Sequence, residues 1–312
     1  RCNDFGTPGV AEFAHKLDAT WEAHLFHRKL VNACFASNYH LPEARGHLDI
    51  NIVGAGATGV ELAAALHNTT RFIASYGLRD LDPDQHIRIR LLEAGERILP
   101  GLSEELSASA AEVLRQINVN IVTGDQVTEV TDSAIHTSSG EQYPSNLTVW
   151  AAGIRAPEFL HQIDGLETDR IDRLVVDKML KTTRDDHIYV LGDCAAAPWK
   201  GDQTLPPRAQ VAHQQASYLA RQLILRLDGK PVTPFKYHDY GSLVALGRHE
   251  TLGNLMGFLR GKGFRIEGLF ARFMYWSLYR SHLFALHGFW KTALGTLTGW
   301  LRRQTDPQVK LH

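Results

Sequence analysis

The sequence predicts an α/β fold: an open parallel sheet wrapped by helices, a second α/β segment after it, and a tail of amphipathic helices. Three observations carry that prediction. Residues 48–66, LDINIVGAGATGVELAAAL, run from an apolar strand through a glycine turn into an Ala- and Leu-rich helix. Short apolar runs then alternate with helical stretches as far as residue 153. The last fifty residues mix Phe, Trp, Leu and Tyr with regularly placed cations.

In chain order, RCNDFGTPG (1–9) reads as loop, with Gly and Pro marking turns. VAEFAHKLDATWEAHLFHRKLVNACFASNY (10–39) has helical periodicity and predicts a helix pair, and LPEARGH (41–47) is a linker. A strand ends at Val53, the chain turns on Gly54, Gly56 and Gly59, and a helix runs on into a polar loop before residue 87. IRIRLLEA (87–94) is the next strand and closes on Glu93. LSEELSASAAEVLRQIN (102–118) is a helix that Ser103 can cap, with Glu104 and Glu105 suited to its positive end. NVNIVTG is a strand, QVTEVTDSAIHTSSGEQYP an antiparallel meander, and LTVWAAG (147–153) a buried strand. This order, βαβαβ with a meander before the last strand, reads as a complete nucleotide-binding domain at about 48–155.

Beyond it, IYVLGD (188–193) reads as a strand ending in an acid, and PPRAQVAHQQASYLARQLILRLDG (206–229) as a helix bounded by Pro and Gly. A strand pair is expected near 242–254. Residues 265–303 show helical spacing at Leu269, Phe273, Trp276 and Tyr279, expected to break at Gly288, Gly295 and Gly299.

The glycine turn has a chemical reading. Gly54 permits the tight turn, Gly56 lets backbone approach a pyrophosphate, and Gly59 lets the helix lie close to the strand. The phosphates would rest on free N–H groups at the helix start, across Gly54, Ala55, Gly56, Ala57, Thr58 and Gly59. A glycine-rich structural turn is the plainer alternative. Glu93, at the end of the following strand, supplies the second half of the fingerprint: a carboxylate that accepts from ribose hydroxyls. With no Arg at 92 or 94 it favours NADH over NADPH, because it would repel a 2′-phosphate.

The bulk numbers limit the remainder. A chain of 312 residues holds about two domains, and 44% hydrophobic with 21% charged residues is globular rather than disordered. The formal net charge of −1 hides an asymmetry. From Arg260 onward nine Lys and Arg face two acids, +7, which leaves −8 for the body. A basic tail suits an anionic surface. Three cysteines without CxxC, Cys2, Cys34 and Cys194, suggest a reducing compartment, and no metal site is expected. The chain opens on Arg1 as if in mid-sentence, so an upstream part is expected. No tail stretch free of Lys, Arg, Asp and Glu exceeds ten residues, short of a spanning helix.

Taken together, NDFGTPGV (3–10), VGAGATGVELAAAL (53–66), LLEAGERILP (91–100), VWAAGIRAP (149–157), IYVLGDCA (188–195), PPRAQVAHQQA (206–216) and the LYRSHLFALHGFWKT tail resemble the pyridine nucleotide flavin oxidoreductases. Within them they resemble the single-subunit, type II respiratory NADH dehydrogenases. The resemblance implies two Rossmann-type nucleotide-binding domains, one for NADH inserted within one for FAD. It also implies that the first FAD-binding glycine unit precedes residue 1. On that basis 1–47 is expected to be a remnant of the FAD domain, 48–155 the NADH domain, 156–240 the C-terminal half of the FAD domain, and 241–312 a strand pair and membrane-associating tail.

The resemblance also assigns roles. Gly192 and Asp193 would meet the flavin phosphate and ribityl chain, although a strand-ending helix cap is the plainer reading of Asp193. Ala152, Gly153 and Ala209 are expected to line the cofactors. Glu61 would approach nicotinamide and flavin, or simply complement the helix dipole. Gln210, His213 and Gln214, at i, i+3 and i+4, share one helix face expected near the flavin ring and a quinone head group. Otherwise that face is solvated. Residues 265–303 would lie on an anionic membrane surface, or form a docking helix or homodimer face.

The expected activity is hydride transfer from NADH to FAD and of two electrons onward to quinone, without proton pumping. It would take place on the cytoplasmic face of a bacterial inner membrane, with no nucleic-acid partner. The alternatives are a soluble flavin disulfide or ferredoxin reductase, and a module that only binds NADH.

Overall fold

The computed structural model describes residues 1–39, 47–78, 80–240, 242–246, 250–255 and 264–302. The chain forms two compact units: Cys2–Ala152 with Gly241–His312, and Arg1 with Gly153–Tyr240.

The first unit opens with α1 (Val10–Phe13), β1 (Ala14–Lys16) and α2 (Thr20–Asn38), followed by β2 (Leu48–Val53), α3 (Ala57–Ser75), α4 (Pro83–His86) and β3 (Ile87–Glu93). It continues through α5 (Glu104–Gln116), β4 (Val119–Thr123), the meander β5 (Val127–Val130), β6 (Ala134–Thr137) and β7 (Gln142–Pro144), and β8 (Leu147–Trp150). The five-stranded sheet has the order β1-β8-β2-β3-β4 and is parallel throughout.

The alternation of LDINIV sorts β2 between the two faces of the sheet. Ile50 and Ile52 are fully buried in a core with Val60, Ala63 and Ala64 of α3 and Leu114 of α5. Val53, Leu92 and Trp150 instead join Val127, Val130 and Ile135 of the meander. That second face also carries buried polar groups. Arg88 donates to both oxygens of Asp49 (Nε 2.9 Å, Nη2 2.8 Å), and Arg90 donates to Asn51 Oδ1 (2.6 Å) beneath the Tyr143 ring.

Two expectations are corrected here. Residues 10–39 are not a helix pair, because Ala14–Lys16 is captured as an edge strand by β8 (Ala14 opposite Thr148, Lys16 opposite Trp150). Nor does a boundary fall at 47. Residues 2–39 belong to the sheet unit, held by β1, by Trp150 Nε1 donating to the Asn3 carbonyl (2.8 Å), and by Gly9. At Gly9 (φ 76°) a Cβ would lie 1.7 Å from the Val130 carbonyl oxygen, so the GTPG turn sits directly on the meander.

The second unit contains β9 (Leu174–Val175), parallel to β10 (Ala195–Ala196), and α6 (Ala209–Leu227). Leu174, Val176, Leu180, Val190, Ala195, Leu205, Val211 and Leu219 form its core. The expected IYVLGD strand is extended but makes only an isolated bridge, Tyr189 to Lys181, before a 3-10 turn at Gly192–Cys194. A strand needs a ladder along its length, and no strand among the described residues provides one there.

In the tail, the expected strand pair is a three-stranded antiparallel sheet, β11 (Ser242–Leu246), β12 (Glu250–Leu255) and β13 (Phe264–Glu267). It leads into α7 (Gly268–Arg302). Of the three expected breaks only Gly288 leaves helical geometry (φ 75°, ψ 171°). The two arms meet there, with Arg280 Nη1 donating to Thr296 Oγ1 (2.6 Å) and Phe284 edge-on to Phe289. Among the described residues, no helix is long and apolar enough to cross a membrane.

Candidate functional site

The three fingerprint glycines are distinguished by what a side chain would meet. At Gly54 (φ 99°) a Cβ would lie 2.6 Å from the Ala152 backbone, and at Gly59 it would lie 1.9 Å from the Gly54 carbonyl oxygen. At Gly56 it would meet nothing within 4 Å. Two glycines are therefore required by the turn itself, whereas the third keeps an open approach to backbone. Among the described residues no side chain caps α3 at Gly56, and Ala57 and Thr58 are exposed. An uncapped helix start beside an open glycine is a ready anion seat.

Glu93 is fixed at this turn. The Ala55 N–H donates to its Oε2 (2.8 Å) and the Gly95 N–H to its Oε1 (2.9 Å). Each carboxylate oxygen accepts one of these bonds and keeps capacity for another, which suits paired ribose hydroxyls. The Gly54 N–H donates to Leu92 O and the Leu99 N–H to Ala55 O, both at 2.8 Å, so the ends of β2 and β3 form one rigid edge. Glu61 lies half-buried on α3. Ala152 closes this unit after β8, and Gly153 (φ 62°) opens the other.

In the second unit, Gly192 (φ 75°) starts the turn that presents Asp193 to the exterior. Cys194 donates its Sγ–H to Leu191 O (3.3 Å), and burial raises its thiol pKa, which favours the thiol over the thiolate. The turn is held from the α6 side by a residue that the sequence reading did not single out. Gln215 is fully buried, and its Oε1 accepts the Gly192 N–H at 2.7 Å. Its Nε2 has no acceptor among the described residues. The cost of such an orphan is about 1–3 kcal/mol. A signal did exist, since Val211, Gln215 and Leu219 are the buried residues of α6, at i, i+4 and i+8. A glutamine in an apolar stripe is the anomaly.

Gln210, His213 and Gln214 lie along the same helix as expected, and His213 and Ala209 are exposed. The two glutamines already hold partners. Gln214 donates to His238 O (2.8 Å) and accepts the His238 N–H (3.0 Å). Gln210 accepts the Tyr240 N–H (3.2 Å). Tyr218 donates to Thr233 O (2.7 Å), and Gln222 accepts the Thr233 N–H (2.9 Å). Side chains at every fourth residue of α6 thus pin an extended strap, 233–240.

Comparison with known proteins agrees with this architecture. The pyridine nucleotide-disulphide oxidoreductase family matches residues 1–216. The type II NADH:quinone oxidoreductase of Haemophilus influenzae is 39% identical over the whole chain, which spans 73% of that relative's length. A probable NADH dehydrogenase of Dictyostelium discoideum is 30% identical over 92% of the chain, which spans 62% of that protein. In fold, the chain resembles NDH2 of Plasmodium falciparum, solved with NADH, at a TM-score of 0.79 and 19% identity, covering 99% of this chain and 77% of that one. The ferredoxin reductase of Rhodopseudomonas palustris shares the fold more distantly, at a TM-score of 0.60 and 19% identity over 86% of this chain and 64% of that one. By the family match and the Haemophilus relative, this chain belongs to the pyridine nucleotide-disulphide oxidoreductases and, within them, to the type II NADH:quinone oxidoreductases.

Proposed function

We propose that the chain works as a NADH:quinone oxidoreductase on a membrane surface, with NADH at the Gly54–Glu93 edge and flavin at the Gly192–Cys194 turn. The observation that carries this reading is the open Gly56 beside an anchored Glu93, in a chain of this family. Bound FAD would supply the redox chemistry, as acceptor of the NADH hydride and donor of two electrons to the quinone.

The residues of this chain would bind and orient. Backbone N–H groups from Gly56 to Gly59 receive the NADH pyrophosphate, and Glu93 receives the adenosine ribose. The flavin fits the second unit on two observations: Asp193 is exposed on a left-handed glycine turn, and that turn is held from α6 by the buried Gln215. Asp193 would hold the ribityl chain. Gln210 and Gln214 would face the quinone, and their amides reach a quinone carbonyl only by sharing or releasing the strap at 238–240. Glu61 is assigned to the nicotinamide side.

The tail supports membrane attachment. Phe284, Leu286, Phe289, Trp290, Leu294 and Leu297 are all exposed on α7, beside the exposed Lys291. Aromatic and basic helices of this kind settle in the headgroup layer of anionic lipid. We place the protein on the cytoplasmic face of a bacterial inner membrane, with the same tail available for a homodimer contact.

Two measurements test the assignment of residues. Titration should show NADH binding at least about tenfold more tightly than NADPH, the scale of one unfavourable charge contact of roughly 1.4 kcal/mol. Glu93→Arg should narrow or invert that preference. Equal affinity of the unaltered protein for both nucleotides would remove Glu93 from the site. In FAD-loaded protein, Gln214→Ala should slow quinone reduction by about a hundredfold, the usual cost of one donor lost at a developing charge. Flavin reduction by NADH should hardly change. Stopped-flow resolution of the two half-reactions decides this, and an unchanged quinone step would leave Gln214 as a strap anchor only.

A further inference from the structure

We infer that Gln215 is a positioning residue for the flavin, fixing the Gly192–Cys194 turn from α6 through the bond that its Oε1 accepts from the Gly192 N–H. The inference rests on the flavin reading of that turn.

Three features on one helix lead to it. Gln215 occupies the apolar seam of α6 between Val211 and Leu219, where packing alone calls for an aliphatic side chain. Its bond from the Gly192 N–H fixes the amide orientation: Oε1 accepts, so Nε2 must be the end left with two N–H donors. That end is enclosed and has no partner among the described residues. Buried polar groups are normally satisfied, so a glutamine kept here at the cost of an orphaned donor points to a task for its other end. Here the other end of the same amide already grips the turn that carries the exposed Asp193, and Gly192 packs toward α6, its Cβ position 3.6 Å from Ala212. The amide therefore links the turn to the α6 helix. Because α6 also bears Gln210 and Gln214, a shift of the turn would be felt by the face assigned to quinone.

A residue with a purely structural role and a positioning residue give different results. Gln215→Met keeps similar volume and removes both hydrogen-bonding ends. In the flavoenzyme we expect FAD to dissociate at least about tenfold more readily, and the flavin absorption bands to move. The melting temperature of the flavin-free protein should change little, so the gain in melting temperature on adding FAD should shrink, as linkage requires. NADH binding at the Gly54–Glu93 edge reports that the variant is folded. The wild-type protein gives a second test that no folding defect can obscure. With 15N-glutamine labelling, the Gln215 side-chain amide resonance should shift on addition of FAD as the turn that it grips takes up the cofactor. Unchanged FAD affinity and absorption in Gln215→Met, or a Gln215 amide resonance indifferent to bound FAD, would overturn the inference. Failure of the full-length wild-type enzyme, with whatever precedes residue 1, to bind FAD at all would instead overturn the flavin reading, and this inference with it.

Discussion

Gly56→Ala should leave the fold intact and weaken NADH binding by about ten- to a hundredfold, whereas Gly59→Ala should damage the fold itself. The contrast comes from three residues of chain. A methyl at 56 meets no protein atom within 4 Å, so its only cost is to whatever approaches that backbone. Charge-assisted bonds to phosphate contribute roughly 1.5–3 kcal/mol each, and holding the pyrophosphate back by a methyl forfeits about one of them. A methyl at 59 would lie 1.9 Å from the Gly54 carbonyl oxygen, a backbone atom that cannot swing aside. Overpacking of that kind costs about 1–3 kcal/mol, and a backbone clash falls at or above the upper end. Denaturant melts and nucleotide titrations on the two variants separate the effects. Loss of stability in Gly56→Ala equal to that in Gly59→Ala would make the motif a structural turn and nothing more.

Charging the tail should detach the protein from membranes. In α7, Trp290 is 81% exposed and Leu294 64%, one helical turn apart on the same arm. Each such side chain gains about 1.5–3 kcal/mol on full burial. Replacing both with Glu removes that gain and adds repulsion from anionic headgroups, so partitioning onto anionic vesicles should fall by at least about a hundredfold. High salt should extract the unaltered protein only in part, because screening weakens its cations and not its aromatic face. Co-sedimentation measures both effects. NADH oxidation with a small water-soluble acceptor should survive in the FAD-loaded variant, while reduction of a lipid-soluble quinone falls. If the unaltered protein stays in the supernatant with anionic vesicles, the apolar tail docks onto protein instead.

Much of the first unit was legible because its information is local. Glycine spacing, a strand closing on Glu93, and Ser103 ahead of an apolar stripe each depend on a few consecutive residues. The structure returns them as the turn at Gly54–Gly59, the end of β3 and the start of α5, where Ser103 accepts from the Leu106 N–H. Helical spacing likewise placed Gln210, His213 and Gln214 on α6.

What the sequence did not show depends on partners distant in the chain. Ala14–Lys16 has helical neighbours and is a strand only because β8, more than a hundred residues later, offers a free edge. IYVLGD has strand composition and makes no ladder, because hydrogen-bonding partners and not propensity decide a strand. Gly295 and Gly299 stay helical where Gly288 does not, although glycine permits either conformation. The same limit governs the site. Sequence determined which groups are present: a phosphate-seating turn, an acid for ribose, and amides on one helix. Tertiary structure alone decided how they are used. It anchored Glu93 between Ala55 and Gly95, engaged Gln210 and Gln214 with the strap, and buried Gln215 against Gly192 with one donor left over. A side chain's chemistry is set by its own atoms, but its hydrogen-bond partners are set by whatever the fold brings within about 3 Å.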